Sequence, residues 1–234
     1  MKQMMRGLLL TAGTLVALAS CSHSLQAPGG QPPMVSLPGS SVPVIERSAE
    51  DLKKEINIHE DLVPSGHYCR WKVTKLVPRY ITIHSTQNRS ADAWHHAEAL
   101  KNGRIKGGII GYLSWHYTVD QSWAIQQLPL NEIGHHAEYG YKPGNMYSIG
   151  IEMCENRGNS MRLTYDRTAK LAACLMKEYD IPLRNVVSHN FWTGKDCPKP
   201  LLDHGRTGYK WSWFLSRVDY YYRCINGGKS YLDF

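Results

Sequence analysis

Ser148-Ile149-Gly150-Ile151-Glu152-Met153-Cys154 alternates with the period of two that belongs to a β-strand. Ile149, Ile151 and Met153 therefore share one face, and Gly150, Glu152 and Cys154 the other. A carboxylate inside such a strand, flanked by isoleucines, needs a partner or a function. Upstream, Tyr80-Ile81-Thr82-Ile83-His84 reads as a second strand, and Ser90 is expected to cap a helix over Ala91 to Lys101. Trp115 to Val119 and Trp123 to Leu128 read as two strands of a hairpin around Asp120-Gln121-Ser122. Downstream, Leu171, Leu175 and Tyr179 give helical spacing to Tyr165–Tyr179, with Thr164 as N-cap and Pro182 beyond the stop. A short strand at Asn185 to Ser188 then leads into a polar loop. The order strand, helix, hairpin, strand, helix, strand predicts an α/β fold in which a mixed central β-sheet is flanked by helices.

The 234 residues are 42% apolar, enough for one sizeable core but not for two full domains. A single domain is expected over 48–234, with its folded core starting near Leu62 and a charged segment of helical tendency, Glu46 to Asn57, ahead of it. Lys2 and Arg6 precede an apolar run, Gly7 to Ser20, too short to span a bilayer, so residues 1–20 read as an export signal. The run ends in Leu18-Ala19-Ser20-Cys21, which resembles the lipobox of bacterial lipoproteins. That resemblance implies cleavage before Cys21 and a lipid on its thiol. Ser22 stands where those proteins carry Asp for inner-membrane retention, so a cell-envelope location on the outer membrane, facing the periplasm, is expected. Residues 21–47 hold Pro28, Pro32, Pro33, Pro38 and Pro43 and show no periodicity, as in a tether. The chain runs only a short way past its last motif, so the tether rather than a separate wall-binding domain is expected to localise it. The formal charge of +7 is mild and its basic residues are scattered. It could favour an anionic wall polymer or lipid surface, but nothing points to nucleic acid.

Chemistry concentrates in three places: His84 at a strand end, Glu152 within a strand, and Ser188 through Pro198. A His after a buried strand, followed by Cys197 on a Gly-containing loop closed by Pro198, can bring imidazole and thiolate to one ion. With His84, His189 and Cys197 make three N/S ligands, and the fourth tetrahedral position is left for water, as in catalytic zinc sites. Taken singly, a buried His is commonly a core residue, Cys197 could be a structural thiol, and Lys195 a solvated lysine.

Ile83-His84-Ser85-Thr86, Ser114 through Asp120, Ser148 through Glu152, and His189 through Lys195-Asp196-Cys197-Pro198 together resemble the successive motifs of the type 2 N-acetylmuramoyl-L-alanine amidases. That group includes phage lysozyme-like amidases and animal peptidoglycan recognition proteins. The likeness covers residues 78–203, four motifs in one order. It implies one Zn2+ on His84, His189 and Cys197, with Lys195 and Glu152 as catalytic residues and peptidoglycan or muropeptides as substrate. Some members have a catalytic Tyr where this chain has Trp115, which directs the mechanism toward Glu152. Others have Asp as third ligand, and here Asp196 adjoins Cys197. His116 and His136 fall where the family tends to carry His near its cleft, and with Trp115 they are candidates for substrate binding.

The expected reaction is zinc-dependent hydrolysis of the amide joining N-acetylmuramic acid to L-alanine, in wall remodelling or recycling. Two other readings stand beside it: a peptidoglycan-binding module of the same fold that does not cut, and a Cys197/His189 nucleophilic hydrolase. His95, His96, His135 and His204 are expected at the surface or at caps. Trp115, Tyr139, Tyr147 and Trp192 could stack on sugars, although core packing is the common role of such residues. Cys69, Cys154, Cys174 and Cys224 would lie in an oxidising compartment, where three pairings are open and Cys154 or Cys174 could equally be buried thiols.

Overall fold

The computed structural model describes residues 43–70, 74–108 and 110–230. The leader, Cys21 and most of the tether lie outside the described residues. Six strands form one sheet: β1 (Ile58–Glu60), β2 (Tyr80–Ser85), β3 (Tyr117–Val119), β4 (Ala124–Gln126), β5 (Ser148–Met153) and β6 (Val186–Ser188). Their spatial order is β1-β4-β3-β5-β2-β6. Only the β3–β4 hairpin is antiparallel; the other pairings are parallel, so the sheet is mixed. The helices are α1 (Ala49–Ile56), α2 (Ala93–Lys101), α3 (Pro143–Met146), α4 (Met161–Tyr179), α5 (His189–Thr193) and α6 (Tyr209–Cys224).

Strand alternation separates a core face from a polar one. Ile81 and Ile83 of β2 and Ile149, Ile151 and Met153 of β5 are fully buried beneath α1, α4 and α6, which contribute Leu52, Ile56, Leu171, Leu175, Phe214 and Val218. Each such side chain stabilises the fold by about 1.5–3 kcal/mol relative to exposure. The opposite face carries Thr82 and His84 beside Ser148, Gly150 and Glu152. This apolar half is what fixes the register, because a slip by one residue would turn the isoleucines out and the histidine in.

Several local expectations shift. The α2 cap is Asp92, whose side chain accepts from the His95 N–H at 3.0 Å, while Ser90 belongs to a turn on Asn88. Helix α4 starts four residues earlier than expected, at Met161 after Ser160; Thr164 lies within it and donates to the Ser160 carbonyl. The segment after Ser188 is the short helix α5 rather than a loop. Trp115 precedes β3 instead of belonging to it. Helix α1 is part of the main core although it lies before Leu62. His96 and His135, expected at the surface, are buried. Cys69, Cys154, Cys174 and Cys224 are free buried thiols.

Candidate metal centre and active site

The β2–β5 ladder places His84 directly opposite Glu152, and β3 places Thr118 on the other side of Glu152. Strand β6, paired to β2, delivers His189 at the first position of α5. The loop beyond α5 is tied back by its own polar atoms. Gly194 ends the helix in a left-handed conformation, at φ +74°. Asn190 receives the chain twice: its N–H donates to the Cys197 carbonyl at 2.9 Å and its Nδ2 to the Lys195 carbonyl at 2.9 Å. Cys197 is thereby set beside β2, where the Ser85 N–H donates to its Sγ at 3.4 Å.

His84, His189 and Cys197 are all buried, and each offers one ligand atom within 4.8 Å of the other two. Nδ1 of His84 lies 3.0 Å from Nδ1 of His189 and 3.9 Å from the Cys197 Sγ. Nitrogen and sulfur atoms at ordinary zinc bond lengths stand about 3.3–3.6 Å apart around a tetrahedron, so the spacing fits that ion. The donor chemistry fits too. Burial, reinforced by His189, His136 and Lys195, keeps His84 neutral well below the usual imidazole range. Burial likewise holds His189 at about 4. Two neutral imidazoles are what a metal requires.

Burial pushes the Cys197 thiol up to about 12, assisted by Glu152. A nucleophilic cysteine needs the opposite shift, so the environment suits a ligand ionised by a bound cation rather than a Cys/His nucleophile. Glu152 is 14% exposed, and its Oε1 lies 3.9 Å from the His84 Nδ1. Its Oε2 is buried and has no hydrogen-bond partner among the described residues. Burial raises this carboxyl to about 8, opposed by the Lys195 ammonium and supported by Glu155. Lys195 sits on the exposed loop, and its charge acts on Glu152, His84, His189 and Cys197 alike.

The five residues expected to carry the chemistry thus converge. The three expected to bind substrate do not behave as one group. Trp115 is 5% exposed, packs with Val63, Cys69 and Leu100, and donates its indole N–H to Thr118 Oγ1 at 2.7 Å. Its ring completes a satellite core and offers almost no surface to a substrate. His116 is fully buried: its Nδ1 accepts from the Gly150 N–H at 2.9 Å and its Nε2 donates to the Glu132 carbonyl at 2.9 Å. It braces β5 rather than facing solvent. His136 touches the ligand set directly, its Nδ1 lying 3.0 Å from the His84 Nε2. Trp192 is a packing residue whose N–H donates to Thr82, whereas Tyr139 is 67% exposed.

Asn145 is a supporting residue that the sequence does not announce. It is fully buried; its Oδ1 accepts from the N–H groups of His136 and Ala137 at 3.0 and 2.8 Å, and its Nδ2 donates to the carbonyls of Glu138 and Gly140. An isolated Asn in a polar segment carries no pattern that would reveal this.

Residues 74–200 match the protein family described as N-acetylmuramoyl-L-alanine amidase. Among curated proteins, the chain is 43% identical over 150 residues to the N-acetylmuramoyl-L-alanine amidase XlyA of Bacillus subtilis (strain 168), a stretch covering 63% of this chain and 48% of XlyA. It is 40% identical over 166 residues to the N-acetylmuramoyl-L-alanine amidase CwlH of the same organism, covering 70% of this chain and 61% of CwlH. The chain therefore spans less than two thirds of the length of either relative. Among solved structures, the catalytic domain of XlyA aligns with a TM-score of 0.62 at 41% identity, covering 69% of this chain and 99% of that one.

Proposed function

The chain belongs to the N-acetylmuramoyl-L-alanine amidase family, and on that footing we propose that it hydrolyses the amide between N-acetylmuramic acid and L-alanine in peptidoglycan or muropeptides. One zinc ion is held by His84, His189 and Cys197. The observation that carries this reading is the meeting of those three ligand atoms beside the Glu152 carboxylate, one oxygen of which is buried with no hydrogen-bond partner among the described residues.

When bound, zinc supplies Lewis acidity toward a carbonyl and acidifies water. Glu152 accepts a proton from the attacking water as the water oxygen bonds to the carbonyl carbon. It then returns that proton to the alanine nitrogen as the C–N bond breaks, leaving a carboxylate on the muramoyl side and a free amine on the peptide. The Lys195 ammonium stabilises the negative charge that develops on the carbonyl oxygen. On the same face of β2 as His84, Thr82 Oγ1 is hydrogen-bonded to both Ser148 and Trp192, and all three side chains are buried.

In the cell we place the enzyme at the envelope, tethered by a lipid on Cys21 to a membrane, the outer one where two are present, and acting in wall remodelling or recycling. Metabolic labelling with a fatty acid tests the tether; a protein that stays unlabelled refutes it. Incubation with muropeptides, with and without chelator, tests the activity. Mass analysis should find free peptide with an N-terminal alanine only in the chelator-free sample. Intact muropeptide in both would refute the reading.

A further inference from the structure

The second nitrogen of each histidine ligand decides which tautomer that ligand adopts, and the His136 loop touches both rings. His136 Nε2 lies 3.3 Å from the Ser148 carbonyl oxygen, which can only accept, so this nitrogen carries the proton. In a neutral ring, Nδ1 is then bare and accepts, and the group 3.0 Å from it is the His84 Nε2. His84 must therefore be protonated on Nε2, which leaves the lone pair of its Nδ1 turned toward His189 and Cys197. The His189 ring is hydrogen-bonded to the backbone of the adjacent Ala137.

Three features hold this arrangement. Asn145 clamps the His136 and Ala137 N–H groups. Gly150 leaves room for the His136 ring, since a Cβ there would stand 2.8 Å from it, and Gly134 does the same on another side, at 3.0 Å. The ring itself is 8% exposed with both nitrogens engaged, which leaves nothing to offer a substrate.

Resting on the zinc reading above, we propose that His136 is a positioning residue: by accepting the Nε2–H of His84 it locks the tautomer and ring orientation that present Nδ1 to the metal. Outer partners of this kind typically contribute about 10–100-fold to metal affinity.

The test is a zinc competition titration of the full chain against a chromophoric chelator at one fixed pH. His136→Leu should bind zinc about 10–100-fold more weakly than wild type, and His136→Asn, whose Oδ1 can stand near the Nδ1 position, should recover most of that loss. Equal affinity in wild type and His136→Leu overturns the proposal while leaving the zinc reading intact. No zinc uptake by wild type overturns both. Should the leucine variant fail to fold, long-range proton–nitrogen correlation of the wild-type imidazoles decides: His136 protonated on Nε2 and bare on Nδ1 supports the proposal, and a proton on Nδ1 refutes it.

Discussion

His84 and Glu152 face each other across the β2–β5 ladder, with the Nδ1 of one 3.9 Å from the Oε1 of the other. Parallel pairing on a single face puts an imidazole and a carboxylate, the proposed metal ligand and proton acceptor, side by side without help from any loop. Their spacing is set by the backbone hydrogen bonds of the β2–β5 ladder, as a preorganised site requires.

Glu152→Gln follows from that relationship. The amide keeps the shape of the carboxylate but cannot take a proton, so turnover should fall by about two to four orders of magnitude. Zinc content, measured by elemental analysis, should be unchanged. Full turnover in the variant would remove Glu152 from its role.

Cys197 and Asp196 make opposite predictions despite being neighbours. Cys197 is buried with its Sγ on the His84 side, whereas Asp196 is exposed, and it is its main-chain carbonyl that accepts from Gln87 at 3.0 Å. Cys197→Ala should abolish zinc retention through gel filtration, and Asp196→Ala should leave it near one ion per chain. Loss in the aspartate variant alone would reassign the third ligand.

How far the site was legible depends on what set each position. Strand periodicity was enough to set Glu152 opposite the isoleucines of its own strand and His84 at the end of another; that the two share one sheet face comes from the β2–β5 pairing, which periodicity does not give. The spacing from His189 to Cys197 was legible because a short Gly-containing loop closed by Pro198 has few ways to return. Contacts between side chains distant in sequence carry no such signal: His136 meets His84 only through the fold, and Trp115, offered as a substrate-binding candidate, takes the core packing that is the commoner role of such a residue. Short elements also escape. Strand β1 is three exposed residues, and α5 is a five-residue helix that begins on His189, the proposed ligand. Ser90 and Asp92 are both good caps two residues apart, and Asp92 prevails because its side chain bonds both the N–H and the ring of His95. Helix α6 lay outside the sequence expectations even though Trp211, Phe214, Val218 and Tyr222 recur at helical spacing.

Zinc uptake should release protons. Burial holds the Cys197 thiol at about 12 and Glu152 at about 8, so at pH 7 both are largely protonated before a cation arrives. Coordination requires the thiolate and draws Glu152 toward its ionised form. Calorimetric titrations in buffers of different ionisation enthalpy should therefore show between one and about two protons released per zinc, and affinity should weaken as pH falls. Binding with no proton release would mean that the thiol is not a ligand.

Acid should destabilise the fold already above the range in which ordinary carboxylates titrate. Burial lowers His116 to about 4, against 6.5 for an unfolded imidazole. The unfolded chain thus binds this proton first. The contribution of His116 is complete above pH 6.5 and is lost as pH falls toward 4, at about 1.4 kcal/mol per pH unit per buried histidine. Urea midpoints measured across that window should decline with falling pH, and a His116→Gln variant should show a shallower decline. An unchanged slope in the variant would contradict the assignment.

The central claim concerns a single ion, and X-ray absorption at the zinc edge, joined to metal analysis of the purified chain, addresses it most directly. The account predicts one zinc per chain with two imidazole nitrogens, one sulfur and a light oxygen scatterer in its shell. A shell without sulfur, or one closed by four protein ligands, would contradict it.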